Sequence, residues 1–495
     1  MMYGEEKSDS LIVAANLANN PQGAESVERR SGAKGNAEQP HMRRTQSRES
    51  MSQRLSRVRE AAKQRKKERF TALFHLLTAE ALENAFLSLS RKAAAGVDGV
   101  RWKDYAENLK VNIADLHWRL HQGSYRAQPG RRHYIPKADG KQRPLGIASL
   151  EDKIVQYALV KILNAVYEND FMGFSYGFRP GRSQHNALDA LATGLVRTNV
   201  NWVLDADISQ FFDKVSHEWL IRFIEHRIGD QRVIRLIRKW LTAGTSEEGE
   251  WRASEEGTPQ GAVISPLLAN IYLHYVFDLW AHQWRRRHAT GNVVMVRYAD
   301  DIVIGFDKRI DAQCFRIAMQ RRLKEFGLTV HPKKTRLMEF GRFAAENRAS
   351  RGKGKPETFN FLGFTHISGK DRSGRFMLIR KTRRDRMTAT LKAIKDGLRK
   401  RWHYSIPEQG KWLRRVVQGY LNYHSVPGNY PMMRKFRIYV TDLWRRALRR
   451  RSQQDDTTWT KANRLAAVWL PKVRVLHPWP VERFTARHPR QEPGA

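Results

Sequence analysis

Val293-Val294-Met295-Val296-Arg297-Tyr298-Ala299-Asp300-Asp301-Ile302-Val303-Ile304 sets two adjacent carboxylates between two short apolar runs. The pattern predicts a buried β-hairpin with acid at its tip. An Asp-Asp pair between strands is, taken alone, more often a plain turn; burial of the flanks changes that, because unpaired carboxylates there are costly without a cation. The tip therefore reads as a metal site that needs a third ligand. Trp202-Val203-Leu204-Asp205-Ala206-Asp207-Ile208 offers one. Its alternation puts Trp202, Leu204, Ala206 and Ile208 on one face and the aspartates on the other. Asp205 and Asp207 stand one pleat repeat apart, roughly 6.5–7 Å, and geometry does not choose between them. Three carboxylates on neighbouring strands suit two Mg²⁺ ions, which in phosphoryl transfer activate an attacking hydroxyl and stabilise the leaving oxygen.

Charge bounds the partners. The 495 residues contain 89 Lys plus Arg against 50 Asp plus Glu, a formal net charge of +39, which is an electrostatic footprint for nucleic acid. Cys314 is the single cysteine, so a disulfide framework and a cysteine-ligated zinc site are both excluded. No apolar stretch approaches the ~20 residues of a membrane span. The expected location is cytoplasmic, bacterial and associated with the nucleoid or a ribonucleoprotein, with no membrane partner.

Composition divides the chain. Residues 1–53 are poor in large apolar side chains and are expected to be a disordered extension. A basic run from Arg54 to Arg69 at helical spacing is either a solvated helix face or an RNA contact. From there to residue 367, helical and strand patterns alternate. Ser149 with Asp152 predicts a helix start, as does Ser265 with Pro266. Gly327 ends a helix through Phe315 and Arg322, and Leu328–Val330 should begin a strand. These elements predict an α+β unit: an antiparallel sheet with helices on one face and the carboxylates on the other. Residues 375–451 read as about three helices broken at Pro407 and Pro427-Gly428-Asn429, with Arg414, Arg415, Arg445 and Arg446 on basic faces. Trp412, Tyr420 and Tyr423 are expected to pack internally, with stacking against bases as the alternative. Residues 455–495 form a short basic tail, in which His477 and His488 are solitary and poor candidates for metal ligands.

The order of motifs resembles the reverse transcriptase and maturase proteins encoded by group II introns, over about residues 65–450. It is carried by Ile135-Pro136-Lys137, Arg143-Pro144-Leu145-Gly146-Ile147, Gly177-Phe178-Arg179-Pro180-Gly181-Arg182-Ser183 and Asp207-Ile208-Ser209-Gln210-Phe211-Phe212-Asp213. It continues through Gly257-Thr258-Pro259-Gln260-Gly261, Ser265-Pro266-Leu267-Leu268-Ala269-Asn270, the Tyr298–Asp301 box, Pro332-Lys333-Lys334-Thr335 and Phe361-Leu362-Gly363-Phe364. Each is weak alone; so many in register are specific.

The resemblance implies a right-hand polymerase with fingers and palm over 54–367, then a helical thumb or maturase domain. It assigns the metal ligands to Asp207, Asp300 and Asp301 with the carbonyl of Ile208, leaving Asp205 a supporting role. It places Lys137 and Arg143 on the triphosphate of a deoxynucleotide, Gln260 near the sugar or template backbone, and Lys333 and Lys334 on nucleic acid. Phe211 is the candidate aromatic wall against a ribose 2′-hydroxyl; an ordinary core Phe is the alternative, and Phe212 is the competing position. The implied partners are intron RNA as template and a DNA primer or target, with a homodimer compatible. The tail resembles extensions of members without an endonuclease, so second-strand nicking is expected from elsewhere. Two other classes stay open: a related reverse transcriptase in phage defence or CRISPR association, and a purely RNA-binding splicing factor.

Overall fold

The structure, a computed structural model, describes residues 38–136, 142–247, 249–259, 261–451 and 457–487. Lys137, Gln260 and His488 lie outside the described residues. The helix Glu38–Gln64 begins well inside the stretch expected to be unstructured. Met51, Leu55 and Val58 lean on the main core and Ala62 is fully buried in it, so one face of this polar helix is docked.

β1 (Gly130–Pro136) and β2 (Gln142–Ile147) form an antiparallel hairpin. β3 (Trp202–Asp207) belongs to a different sheet, whereas β4 (Thr245–Glu247) and β5 (Glu250–Arg252) extend the first in the order β2-β1-β4-β5. β6 (Val293–Tyr298), β7 (Asp301–Phe306) and β8 (Arg336–Glu339) join β3 in the central antiparallel sheet, ordered β6-β7-β3-β8. β9 (Phe359–Phe361), β10 (Phe364–Lys370) and β11 (Phe376–Thr382) make a third antiparallel sheet. Its first turn explains the Phe361-Leu362-Gly363-Phe364 motif. Phe361 pairs with Phe364 across two residues that both have positive φ, 44° at Leu362 and 80° at Gly363, as a right-twisted hairpin with a two-residue turn demands.

Apolar cores cover both faces of the central sheet, which corrects the expectation of helices on one face only. Leu204, Ala206, Ile302 and Ile304 face the helices Ser265–Leu273 and Arg309–Glu325 in one core. Val203, Val294, Val296 and Val303 face the helix Gln184–Arg197 and the third sheet in another. Alternation cannot report this, because side chains on both faces of the strands are apolar. The carboxylates occupy the end of the sheet, where the second covering stops and Asp301 stays exposed.

Helix starts mostly follow the sequence. Ser149 caps Leu150–Tyr167, its hydroxyl accepting from the Asp152 amide at 3.2 Å. Ser265, expected as a cap, is instead the first helical residue, and its hydroxyl donates to the Pro259 carbonyl at 2.8 Å. Gly327 does follow the helix Arg309–Glu325, with φ 72°. The strand expected after it reduces to a single bridge between Val330 and Ile208.

Beyond β11 stand three helices, Arg384–Arg399, Ile406–His424 and Tyr430–Arg449. Leu413, Val417, Phe436, Val440 and Trp444 form their core, to which Ala466 and Leu470 at the end of the helix Trp459–Trp469 contribute. The aromatics pack rather than project: Tyr420 stacks on Phe436 at 3.6 Å, and the Tyr423 hydroxyl donates to the Leu362 carbonyl at 2.8 Å.

Candidate active site

The register of the central sheet assembles the carboxylates. Asp207 at the end of β3 lies opposite Asp301 at the start of β7, while Asp205 lies opposite Val303 and, on its other side, Arg336. Tyr298 pairs with Asp301, so Ala299-Asp300 is a two-residue turn, and Ala299 carries φ 56°. A non-glycine residue is strained there by roughly 1–2 kcal/mol, and the surroundings hold it in place.

Arg297 provides the hold. Its Nε and Nη2 donate to the two carboxylate oxygens of Asp278 at 2.7 and 2.6 Å, and Nη1 donates to the Ala299 carbonyl and to Asn270 Oδ1, each at 3.0 Å. Nη2 also donates to the Ser175 hydroxyl at 2.6 Å. Asn270 extends the chain of hydrogen bonds, its amide donating to the Gly177 carbonyl at 2.7 Å. A Cβ at Gly177 would come within 2.3 Å of the Ala299 nitrogen, so only glycine lets this loop abut the acidic turn. Asp278 closes a π-helical segment, His274–Asp278, between two α-helices; such irregularities are frequent at functional sites.

Electrostatics at the turn are those of crowded acid. Asp301 is open to solvent, yet dense protein around it and then Asp300, Asp207 and Asp205 push its carboxyl up to about 7. Burial also raises Asp300, with Asp207 adding to the rise and Arg143 and Lys334 opposing it. Burial raises Asp205 to about 6, with Asp207 adding to it and Arg336 working against it. The Lys334 ammonium donates to Asp207 Oδ2 at 2.8 Å. Asp207 is tied further by its carbonyl, which accepts from His331 at 2.7 Å. Among the described residues no group of three His, Cys, Asp or Glu side chains is drawn together as a ready cage. The donor set nonetheless suits a hard divalent cation: all-oxygen ligands whose mutual repulsion a cation would relieve.

The remaining candidates divide. Arg143 is exposed on β2 and near enough to lower Asp300 electrostatically. Ile208 is buried at the Val330 bridge and Lys333 is exposed beside Lys334. Phe211 is only 2% exposed and packs against Tyr272 and Phe212, so its ring fills the core. Phe212 keeps surface, and its carbonyl accepts from the Thr258 amide at 2.7 Å. Gly257, with φ 86°, lies against that carbonyl, where a Cβ would approach to 2.9 Å. Arg414 and Arg415 are exposed, whereas Arg445 is half-buried, paired with Asp442 at 2.9 Å and stacked over Trp459. Arg446 shares Asp442 at 2.7 Å.

Within the Gly177–Ser183 motif, Arg179 is structural here. Arg179 pairs with Glu168 and donates to the Met172 and Ser175 carbonyls, each at 2.8 Å. Arg297, Asn270 and Asp278 escaped the sequence reading as parts of the site. A buried arginine one residue before the acidic box was the available signal, since such a charge must find a partner. His477, read as solitary, stacks on His185 at 4.0 Å.

The stretch that carries the acidic turn and β3 is also the one that known proteins match. Residues 135–366 match the family described as reverse transcriptase (RNA-dependent DNA polymerase). The group II intron-encoded protein LtrA of Lactococcus lactis subsp. cremoris is 37% identical over 223 residues, 44% of this chain and 37% of that protein. Over residues 135–366 the chain is similar to reverse transcriptases, and LtrA is a relative of that kind encoded by a group II intron. Protein YkfC of Escherichia coli K12 is 43% identical over 206 residues, 41% of this chain and 54% of that protein. Nuclear intron maturase 2, mitochondrial, of Arabidopsis thaliana is 29% identical over 110 residues, 21% of this chain and 15% of that protein. The matches to LtrA and YkfC thus span about half or less of those relatives' own length. No helix among the described residues is long and apolar enough to cross a membrane.

Proposed function

We propose that this chain is the RNA-directed DNA polymerase of a group II intron, copying intron RNA into DNA, and that it assists splicing of that RNA as a maturase. The observation that carries the polymerase reading is the register pairing of Asp207 with Asp301 beside the Ala299-Asp300 turn, inside the region that matches the family. In this reading residues 54–367 are fingers and palm, 375–451 the thumb, and 455–495 a basic extension. Asp207, Asp300, Asp301 and the Ile208 carbonyl would hold two Mg²⁺ ions, which supply activation of the primer hydroxyl and neutralisation of the triphosphate when bound.

The chain's own residues do the rest. Arg143 on β2, with Lys137, meets the triphosphate of the incoming deoxynucleotide, where a guanidinium and an ammonium neutralise charge that grows in the transition state. Lys334 holds Asp207 through a charge-assisted hydrogen bond and is displaced as the site loads. Gln260 contacts the sugar or template side. Phe212, rather than the core-bound Phe211, is the wall beside C2′. Lys333 and the exposed Arg414 and Arg415 meet RNA or DNA backbone, with Arg446 contributing through its exposed side.

The test is extension of a DNA primer on an RNA template by purified protein with Mg²⁺. Wild type should extend with deoxynucleotides, and Asp300→Ala should not. Failure of the wild type on several primer–templates, with the protein folded, would overturn the polymerase reading and favour the splicing factor.

A further inference from the structure

A groove on the helical bundle that carries none of the candidate site residues except Arg446 has the chemistry of a nucleotide seat. It runs between the C-terminal ends of the helices Arg384–Arg399 and Tyr430–Arg449. Leu398, Leu443 and Ala447 form its floor, and Trp402, 36% exposed, stands at its edge. Lys395, Arg399 and Arg450 ring it, and no acidic residue lines it. The ammonium and guanidinium groups of these three make no ion pair among the described residues, and each is exposed.

Such a combination has a bland form, a solvated basic surface over a small packing gap. Two features argue beyond it. On the same helix Arg445 and Arg446 share Asp442, whereas the groove offers Lys395, Arg399 and Arg450 no lining carboxylate, so its opening is cationic throughout. The aromatic ring also sits among the cations rather than in the bundle core, and the opening continues past Trp402 toward His403 and Arg451. Alternating cations and an accessible ring along a track match a polynucleotide whose phosphates repeat and whose bases are unstacked.

We propose that this groove binds a single-stranded stretch of nucleic acid, one base stacked on Trp402 and the flanking phosphates on Arg399, Arg450 and Lys395. The seat lies at the end of the first thumb helix away from β11, ~20 Å along its axis from Arg384, so it is separate from the acidic turn. The inference deepens the nucleic-acid part of the function proposed above and does not depend on polymerisation. A duplex, with its bases stacked inward, offers nothing to Trp402. RNA and DNA single strands share the required chemistry, and the 2′-hydroxyl distinguishes them.

The experiment measures anisotropy of labelled 12-nucleotide RNA and DNA single strands, and of a blunt RNA duplex, with the full chain while the cleft is saturated by unlabelled template–primer. Trp402→Ala should weaken single-strand binding roughly 5- to 100-fold, the range for one base–aromatic stack, and Trp402→Phe should restore most of it. Arg399→Ala with Arg450→Ala should lower the log–log salt slope by about 0.7 for each phosphate no longer neutralised. Duplex binding should not change. Equal single-strand affinity for Trp402→Ala and wild type overturns the seat, as does an equal weakening for duplex. A stronger effect on RNA than on DNA identifies RNA as the occupant. Primer extension by the same variants on a pre-annealed template should persist; a wild type that binds single strands yet never extends a primer would sink the polymerase reading while leaving the seat intact.

Discussion

Arg297 and Asp278, both fully buried, are joined by hydrogen bonds of 2.7 and 2.6 Å directly behind the turn that bears Asp300 and Asp301. The pair does more than neutralise itself. Through the Ala299 carbonyl and Asn270 it fixes a strained turn whose carboxylates would otherwise spread apart under their own repulsion.

Breaking that pair should therefore damage stability and geometry separately. Asp278→Ala leaves a buried guanidinium unpaired and should cost about 3–5 kcal/mol of unfolding free energy. Asn270→Asp keeps an acceptor for Arg297 but loses the donor to Gly177. It should cost less stability, and extension should fall with a raised Mg²⁺ requirement. Thermal melts paired with Mg²⁺ titrations of primer extension distinguish the two; an Asn270→Asp enzyme with an unshifted Mg²⁺ curve would remove the positioning role.

The register makes the carboxylates unequal. Asp207→Ala, Asp300→Ala and Asp301→Ala should each lose at least ~10³-fold in extension rate, the scale of several kcal/mol of transition-state charge stabilisation. Asp205→Ala should retain most activity, since Asp205 faces Val303 and Arg336 instead. Near-wild-type rates from Asp300→Ala, or a loss confined to Asp205→Ala, would falsify the assignment.

Sugar selection should follow Phe212, the half-buried ring of the two. Phe212→Val is expected to raise ribonucleotide incorporation relative to deoxynucleotide, because it removes bulk where a 2′-hydroxyl would sit. Phe211→Ala should instead unfold more easily, by about 3–5 kcal/mol as for other core Phe truncations. Single-nucleotide competition and denaturant melts decide between them, and a sugar effect from Phe211 with none from Phe212 reverses the assignment.

The tail should clasp the two halves of the molecule. Phe484 is buried in the core beneath the central sheet, Arg483 pairs with Asp189, and His477 Nε2 meets the Asn422 carbonyl at 2.7 Å. Burial, then His477, then Arg483 and Arg380, lower His185 to about 3. A histidine held neutral when folded contributes stability that is complete above its unfolded value near 6.5 and is lost as pH falls from there toward 3. Acid unfolding of wild type should therefore steepen below pH ~6.5, and His185→Phe should flatten that dependence. An identical pH profile for the variant counts against the clasp as an acid-sensitive joint.

Splicing should separate from polymerisation. The double variant Asp300→Ala, Asp301→Ala should still promote splicing of the flanking intron at Mg²⁺ levels where the RNA alone is inert. Reversing charge at Arg414 and Arg415 should weaken intron binding and make its salt dependence shallower. A wild type that gives no stimulation removes the maturase role and favours a reverse transcriptase of the phage-defence or CRISPR-associated kind.

Local patterns were enough for the acidic hairpin, for β3, and for the helices with apolar residues every three or four positions, because each is written within a dozen consecutive residues. Between Asp207 and Asp205 local pattern gave no preference, and the proposed choice of Asp207 rests on resemblance over many motifs and on its register opposite Asp301. Other features required tertiary structure, for a common reason: their partners are far apart in the chain, and no periodicity encodes a distant partner. Arg297 meets Ser175 and Asp278, the acidic turn needs Gly177 behind it, and Arg483 reaches Asp189. Two adjacent phenylalanines, identical as residues, differ because one was turned into the core and the other was left at its edge. Sequence by itself determined which chemistry was available, since carboxylates and cations carry their charge wherever they are. Folding decided which of them could act, because only packing sets burial, and burial sets the cost of every unpaired charge.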